Sequence, residues 1–344
     1  MPFRVEIPAI GRVFDAAPDE TLLDAASRAG VALPHDCRLG GCGTCRVRLL
    51  SGAVAYDEAP FALSPEEEAG GYALACQGRP AGDLVIDVPA ADPLPEPRRV
   101  TATVAGVTPL CDGVVRLAVT VPGGVPAYRP GQYMNVMLDD GHPRSFSMSS
   151  APSRGVLDFH VRRVAGGRFT DGVLARLRPG DPLEVELPLG SFHYRATDER
   201  PLLMVATGTG IAPIRAMLDS LLDDPDCPPV HLYWGMRTAA DLYLHDEIAG
   251  WAGRLYDFRY VPVLSQAGPA WQGRRGRVQD AVIADGVELP DHAIYLCGSP
   301  AMIADAKRAF IARGAEPAHI HVEGFTVQAP PPAGALRRAE LPAA

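Results

Sequence analysis

The stretch HDCRLGGCGTC, residues 35–45, spaces Cys37, Cys42 and Cys45 as C-x4-C-x2-C, and a further cysteine, Cys76, follows in ALACQ. Thiolates gathered in this way hold a metal. Zinc sites usually combine two C-x2-C pairs, whereas one tight group with a single distant partner is the spacing of a 2Fe–2S cluster. A zinc knuckle and unconnected thiols are the alternatives. Gly40, Gly41 and Gly43 suit a loop that wraps a cluster closely, because they reach backbone shapes that a Cβ forbids. Thr44 is small enough to leave the cluster unshielded. The chain has 7 cysteines. An odd number, with no signal-peptide pattern in MPFRVEIPAIGRVFDA, points to a reducing, cytoplasmic setting and away from a disulfide framework. Cys111 and Cys227 read as plain buried thiols.

A 2Fe–2S cluster takes one electron at a time, so a two-electron donor needs a converter, and a flavin is one. RSFS, Arg144 to Ser147, at the end of a strand, has suitable chemistry. Arg144 can pair with a pyrophosphate, Phe146 can lie flat on an aromatic ring, and Ser147 can hydrogen-bond a ring nitrogen. GGRFT, residues 166–170, opens a helix whose N–H groups can take a phosphate. Taken singly, these are equally a strand arginine and a helix cap. ATGTGIAP, residues 206–213, follows a buried strand and precedes a helix, a turn that brings backbone close to a pyrophosphate. Pro213 stands where a G-x-G-x-x-G fingerprint would have its third glycine. YLCGSPAM, residues 295–302, is another strand–glycine–helix junction. After HLYWG an arginine can hold a 2′-phosphate and an acid a 2′-hydroxyl. Arg237 and Asp241 offer both, the plain alternative being a solvated arginine and a helix-capping aspartate.

These motifs need elements to carry them. At 344 residues the chain has room for two or three domains. Residues 1–90 read as a small mixed domain, with strands at FRVEI, RVFDA, RVRLL and LVIDV and a helix, TLLDAASRA, capped by Thr21 and stopped by Gly30. Residues 91–99, in PAADPLPEPRR, read as a proline-rich linker. Residues 100–197 alternate as VTATVAGV, VVRLAVTV, GQYMNVML, VLDFHVRRV and PLEVEL, the pattern of a small antiparallel barrel. Residues 198–326 read as an α/β region on a parallel sheet, from PLLMVA, HLYWG, FRYVPVL and AIYLCG with helices at IRAMLDSLL and near 241–252 and 300–313. Residues 327–344 read as a disordered tail. The expected fold class is therefore multidomain, α+β and α/β. A net charge of −9 argues against a nucleic-acid surface, and no apolar run approaches the roughly 18 residues of a membrane span.

Residues 1–90 resemble a plant-type 2Fe–2S ferredoxin domain, down to C-R-x-G-x-C-G-T-C. Residues 100–325 resemble the ferredoxin–NADP reductase superfamily through R-x-F-S, G-G-x-x-T, G-T-G-x-x-P, C-G-S-P and a closing E-x-F. In this order the whole resembles the reductase components of bacterial oxygenases, and also CDP-6-deoxy-glucoseen reductase. The resemblance implies a β-grasp fold for the first domain, with Cys37, Cys42, Cys45 and Cys76 as cluster ligands. It implies FAD held by Arg144, Phe146 and Ser147 and by Gly167, Arg168, Phe169 and Thr170, with phenylalanine in place of the usual tyrosine at 146. It implies a dinucleotide at Gly208, Thr209, Gly210 and Pro213, Cys297 and Gly298 beside the nicotinamide, with a buried strand thiol the plain alternative for Cys297, and Glu323 and Phe325 closing over the flavin edge. Nineteen residues follow Phe325 here, where relatives often end. Ser147, Cys297, Glu323 and Phe325 are then the catalytic candidates. The implied activity is electron transfer from NADH, with NADPH as the other donor, through FAD and the cluster to an oxygenase component or its ferredoxin. A sugar-dehydratase or P450 acceptor is the alternative, and a redox-sensing iron–sulfur protein is a third, weakened by the nicotinamide site.

Overall fold

A computed structural model of the chain describes residues 2–35, 38, 40–41, 43–60, 62–88, 95–139 and 141–325. The expected tail, and residues 91–94 of the expected linker, lie outside these.

Three large sheets follow one another along the chain. The first orders its strands Arg12–Ala16, Phe3–Ile7, Leu84–Asp87, Arg46–Ser51 and Tyr72–Leu74. Phe3–Ile7 and Leu84–Asp87 run parallel and the other pairs antiparallel. Every second residue of the outer hairpin, Val5, Ile7, Phe14 and Ala16, is buried, which is the period of a half-covered sheet. The covering element is the helix Leu22–Arg28, whose Leu22, Leu23, Ala25 and Ala26 join that core. Thr21 caps it by accepting the Asp24 N–H at 3.1 Å. This is the expected β-grasp.

The second sheet is antiparallel, ordered Arg144–Ser147, Tyr133–Val136, Pro182–Leu189, Arg98–Cys111, Val114–Thr120 and Leu157–Arg162. A bridge between Met148 and Phe159 joins its two edges, so the sheet closes into a barrel. Arg98 and Arg99, at the end of the expected linker, already belong to the long barrel strand.

The third sheet is wholly parallel, ordered Arg274–Arg275, Phe258–Leu264, Val230–Met236, Leu202–Thr207, Ala293–Gly298 and Ile320–Gly324. The helix Ile211–Leu221 packs in one core beside it, and the helices Val278–Ala284 and Pro300–Ile311 in another. The chain begins at Leu202–Thr207, builds outward on one side, then returns to build on the other. The crevice beyond the carboxyl ends of Leu202–Thr207 and Ala293–Gly298 is thus the topological switch point, where open α/β sheets bind ligands.

Several local expectations needed correction. RSFS is a whole short strand, not a strand end. The helix after ATGTG begins at Ile211 and takes Pro213 into its first turn, where the missing N–H has no helical partner to lose. GGRFT does open a helix, and that helix, Arg168–Leu174, is of π type. The helix near 241–252 divides into His245–Ala249 and a 3-10 turn, Gly250–Gly253. Helix Val278–Ala284 and strand Tyr72–Leu74 were not foreseen.

Candidate functional site

The switch point faces the barrel across a cleft of about 960 Å³, large for a single-ligand pocket. On the barrel wall Ser147, 6 % exposed, pairs across the sheet with Tyr133. Phe146 leans on Phe169, with ring centroids 4.9 Å apart. Arg144 donates to the carbonyls of His142 (2.8 Å) and Pro143 (3.3 Å). The Thr170 hydroxyl donates to the Val164 carbonyl (2.9 Å) and accepts the Val164 N–H (3.2 Å), clasping the loop between them. A Cβ at Gly167 would lie 2.5 Å from the Thr170 hydroxyl and 2.8 Å from the Val164 carbonyl, so the clasped loop admits only glycine there. Thr170 therefore shapes the Gly166–Arg168 backbone toward the cleft, and Phe169, buried in the barrel core, supports Phe146.

On the opposite wall Gly208 has φ +58° and open space where a Cβ would stand, a cradle for a ligand. The Trp234 indole holds that turn by donating to the Gly208 carbonyl at 3.0 Å. A Cβ on Gly210 would collide with the Cys297 carbonyl, and one on Gly298, at φ +146°, with Thr207. The two glycine turns are thus packed against each other. Gly208, Thr209 and Gly298 line the cleft; Gly210, Pro213 and Cys297 lie beneath it. Cys297 is 0 % exposed, and burial, with Glu323 adding to it, pushes its thiol well above the usual range. Its side chain packs into the core beneath the two glycine turns, with its carbonyl against Gly210. Glu323, Gly324 and Phe325 form the rim, where the Phe325 N–H donates to the Gly298 carbonyl at 2.8 Å. Arg237 is exposed at the far end. Asp241 also lines the cleft, and its carboxylate accepts the Thr238 N–H (2.9 Å) and hydroxyl (2.8 Å), so it caps the next turn.

Sequence reasoning missed Ser265, Arg277 and His160. Ser265 directly follows a parallel strand, a position that the switch-point rule could have flagged. Arg277 pairs with Asp305 at 3.0 Å across the cleft mouth. His160 is pushed down to about 3, by burial first and then by Arg215 and Arg116, and is neutral. The Tyr243 hydroxyl lies 3.3 Å from its Nδ1.

In the first domain Cys45 and Cys76 are buried and in no disulfide; Cys37 and Cys42 lie outside the described residues. The Ala75 N–H donates to the Cys45 carbonyl (2.9 Å), and the Gln77 amide ties the carbonyls of Arg38 (2.9 Å) and Cys76 (3.0 Å). Gly40 and Gly43 take φ of +69° and +75°, the left-handed shape expected of the loop. This loop meets the cleft rim. The Ser191 hydroxyl donates to that of Thr44 at 3.2 Å, and a Cβ on Gly43 would lie 3.2 Å from Val322. Buried thiols in a glycine loop suit a cluster, and the open glycine cradle suits a dinucleotide.

Fold and site together define a flavoprotein reductase that carries its iron–sulfur domain in the same chain. Family models agree: residues 5–81 match a 2Fe-2S iron-sulfur cluster binding domain, 103–194 an oxidoreductase FAD-binding domain and 204–308 an oxidoreductase NAD-binding domain. Reductase component 2 of terephthalate 1,2-dioxygenase from Comamonas sp is 38% identical over 319 residues, 91% of this chain and 94% of that one. The reductase of CDP-6-deoxy-L-threo-D-glycero-4-hexulose-3-dehydrase from Yersinia pestis is 32% identical over 91% of this chain and 95% of its own. An Amycolatopsis cytochrome P450 reductase of known structure superposes with TM-score 0.69 at 38% identity, covering 94% of this chain and 99% of that one. The chain belongs to this family of NAD(P)H-dependent, FAD-containing 2Fe–2S reductases. No helix among the described residues is long and apolar enough to cross a membrane.

Proposed function

We propose that this chain is the reductase component of an oxygenase system, oxidising NADH and delivering single electrons to its oxygenase partner in the cytoplasm. The observation that carries the reading is the meeting of the cysteine loop with the rim of the dinucleotide cleft, at Thr44–Ser191 and Gly43–Val322. FAD, which Arg144, Phe146, Ser147 and the Gly167–Thr170 backbone would hold, would supply the conversion of a two-electron donor into single electrons, and the cysteine loop would hold the 2Fe–2S cluster that carries them.

The chain's own residues position and exclude. Phe146, backed by Phe169, offers a face for the flavin ring. The clasped Gly166–Arg168 backbone and Arg144 suit the FAD pyrophosphate. The Gly208 turn suits the nicotinamide dinucleotide, and the rim Glu323–Phe325 closes the flavin edge from water. NADH is the proposed donor, and Arg237, exposed at the cleft, is the residue that would meet the 2′-phosphate of NADPH instead. The units proposed for these tasks are residues 1–90, 100–197 and 198–326. An oxygenase is favoured over a sugar dehydratase as the destination because the dioxygenase reductase is the more similar relative, at 38% against 32% identity.

Purified protein should hold flavin and two irons with two sulfides, and should reduce cytochrome c with NADH in preference to NADPH. One zinc and no sulfide per chain would end the reading.

A further inference from the structure

Of the chain's 32 lysines and arginines, Lys307 is the one lysine. It lies on the helix Pro300–Ile311, whose first turn lines the nucleotide cleft, yet it is 2 % exposed. Its ammonium reaches out of the nucleotide-binding domain into the iron–sulfur domain. It donates to the Glu67 carboxylate at 2.6 Å and to the Ala62 carbonyl at 2.7 Å. Glu67 is 0 % exposed. Its other oxygen accepts from Arg46 at 2.6 Å, and Arg46 reaches back across the boundary to the Pro317 carbonyl at 2.5 Å. Each side thus sends one cation into the other, with one carboxylate between them. Two of the partners adjoin the cysteine loop: Arg46 follows Cys45, and the Ala62 N–H donates to the Gly40 carbonyl at 2.8 Å. Beyond this network, a Cβ on Gly324 would lie 3.0 Å from the Gly41 carbonyl, so loop and cleft rim touch backbone to backbone.

A compact ammonium with three rotatable donors can serve a carbonyl and a carboxylate in one closed pocket, where a planar guanidinium needs a wider one. Removing one partner of a buried pair leaves the other charge unpaired at high cost. We propose that Lys307, with Glu67 and Arg46, is a positioning latch that docks the iron–sulfur domain with its cysteine loop against the flavin side of the cleft. The latch touches neither cofactor; it acts through the geometry of docking. Its consequence for electron transfer rests on the proposed function, but the docking itself does not.

The single lysine makes the latch directly readable. Acetylation of the holoenzyme with an N-hydroxysuccinimide ester should modify Lys307 about 100-fold more slowly than the chain's α-amine, and Glu67→Gln should raise the Lys307 rate about tenfold or more. Modification of wild-type Lys307 at the rate of the α-amine, or no change in Glu67→Gln, would overturn the latch. Lys307→Met keeps the side-chain volume and leaves Glu67 paired with Arg46. It should retain flavin and iron and reduce ferricyanide with NADH within about twofold of wild type, while cytochrome c reduction through the cluster falls about tenfold. Equal loss of both activities, or loss of neither, would overturn the positioning role. Wild-type protein inactive with NADH and ferricyanide would sink the proposed function instead, with lysine protection still deciding the docking.

Discussion

Thr170 holds both backbone groups of Val164 with one hydroxyl, so its contribution to the cleft is the shape of the Gly166–Arg168 loop. Thr170→Val keeps the volume and strands both groups, at about 1–3 kcal/mol. FAD affinity should weaken by about tenfold or more, measured by titrating the apoprotein with FAD. Histidine burial sets a pH response. His160 and His321 are both pushed down to about 3, chiefly by burial and further by nearby arginines. The unfolded chain takes up these protons near pH 6.5, the folded chain only near 3. Stability from them is therefore full above pH 6.5 and is lost as pH falls toward 3, by about 1.4 kcal/mol per pH unit per histidine. Unfolding free energy should drop between pH 6.5 and 4.5, and His321→Gln should flatten that slope, measured by denaturant titration at each pH.

The helix Ile211–Leu221 joins the barrel to the parallel sheet through Asp219. Its carboxylate accepts the Ala151 N–H at 3.1 Å and the Arg154 guanidinium on a turn of the barrel. Burial works to raise its pKa, but Arg154 and the Ala151 N–H hold it below the usual carboxylate range. Arg215, on the same helix, donates to the Ser149 carbonyl and pairs with Glu247 at 2.6 Å. One helix thus fixes the angle between the two cleft walls. Asp219→Asn should cost about 1.5–3 kcal/mol through the lost charge-assisted bonds. The flavin should leave at a lower temperature, followed by its fluorescence on heating, while the first domain's cluster absorption is unchanged.

The whole chain carries a net charge of −9, and acids such as Asp19, Asp57, Glu58 and Glu66 are exposed on the iron–sulfur domain. Docking to a partner should be steered by charge. Delivery to an oxygenase with a basic face should slow about tenfold between 0.1 and 1 M salt, as the Debye length falls from about 10 to 3 Å. Lys307 acetylation should not rise over the same range, because the buried latch is screened far less. The assembly therefore separates a salt-tolerant internal dock from a salt-sensitive external one.

Cysteine spacing, strand alternation and glycine turns are local patterns, and each names its own chemistry or element. That is why the cysteine loop, the RSFS strand and the alternating strands of the barrel and parallel sheet were legible from residue order alone. The packing around Thr170, Cys297 and Lys307 was not. The sequence marked Thr170 as a residue of the FAD loop and Cys297 as a thiol beside the nicotinamide, and no motif marked Lys307. Folding adds that Thr170 clasps its loop, that the Cys297 side chain is buried and that Lys307 links two domains, because such contacts depend on which residues pack against them. Burial and long-range pairing arise only when the three sheets are assembled, and no local pattern encodes them.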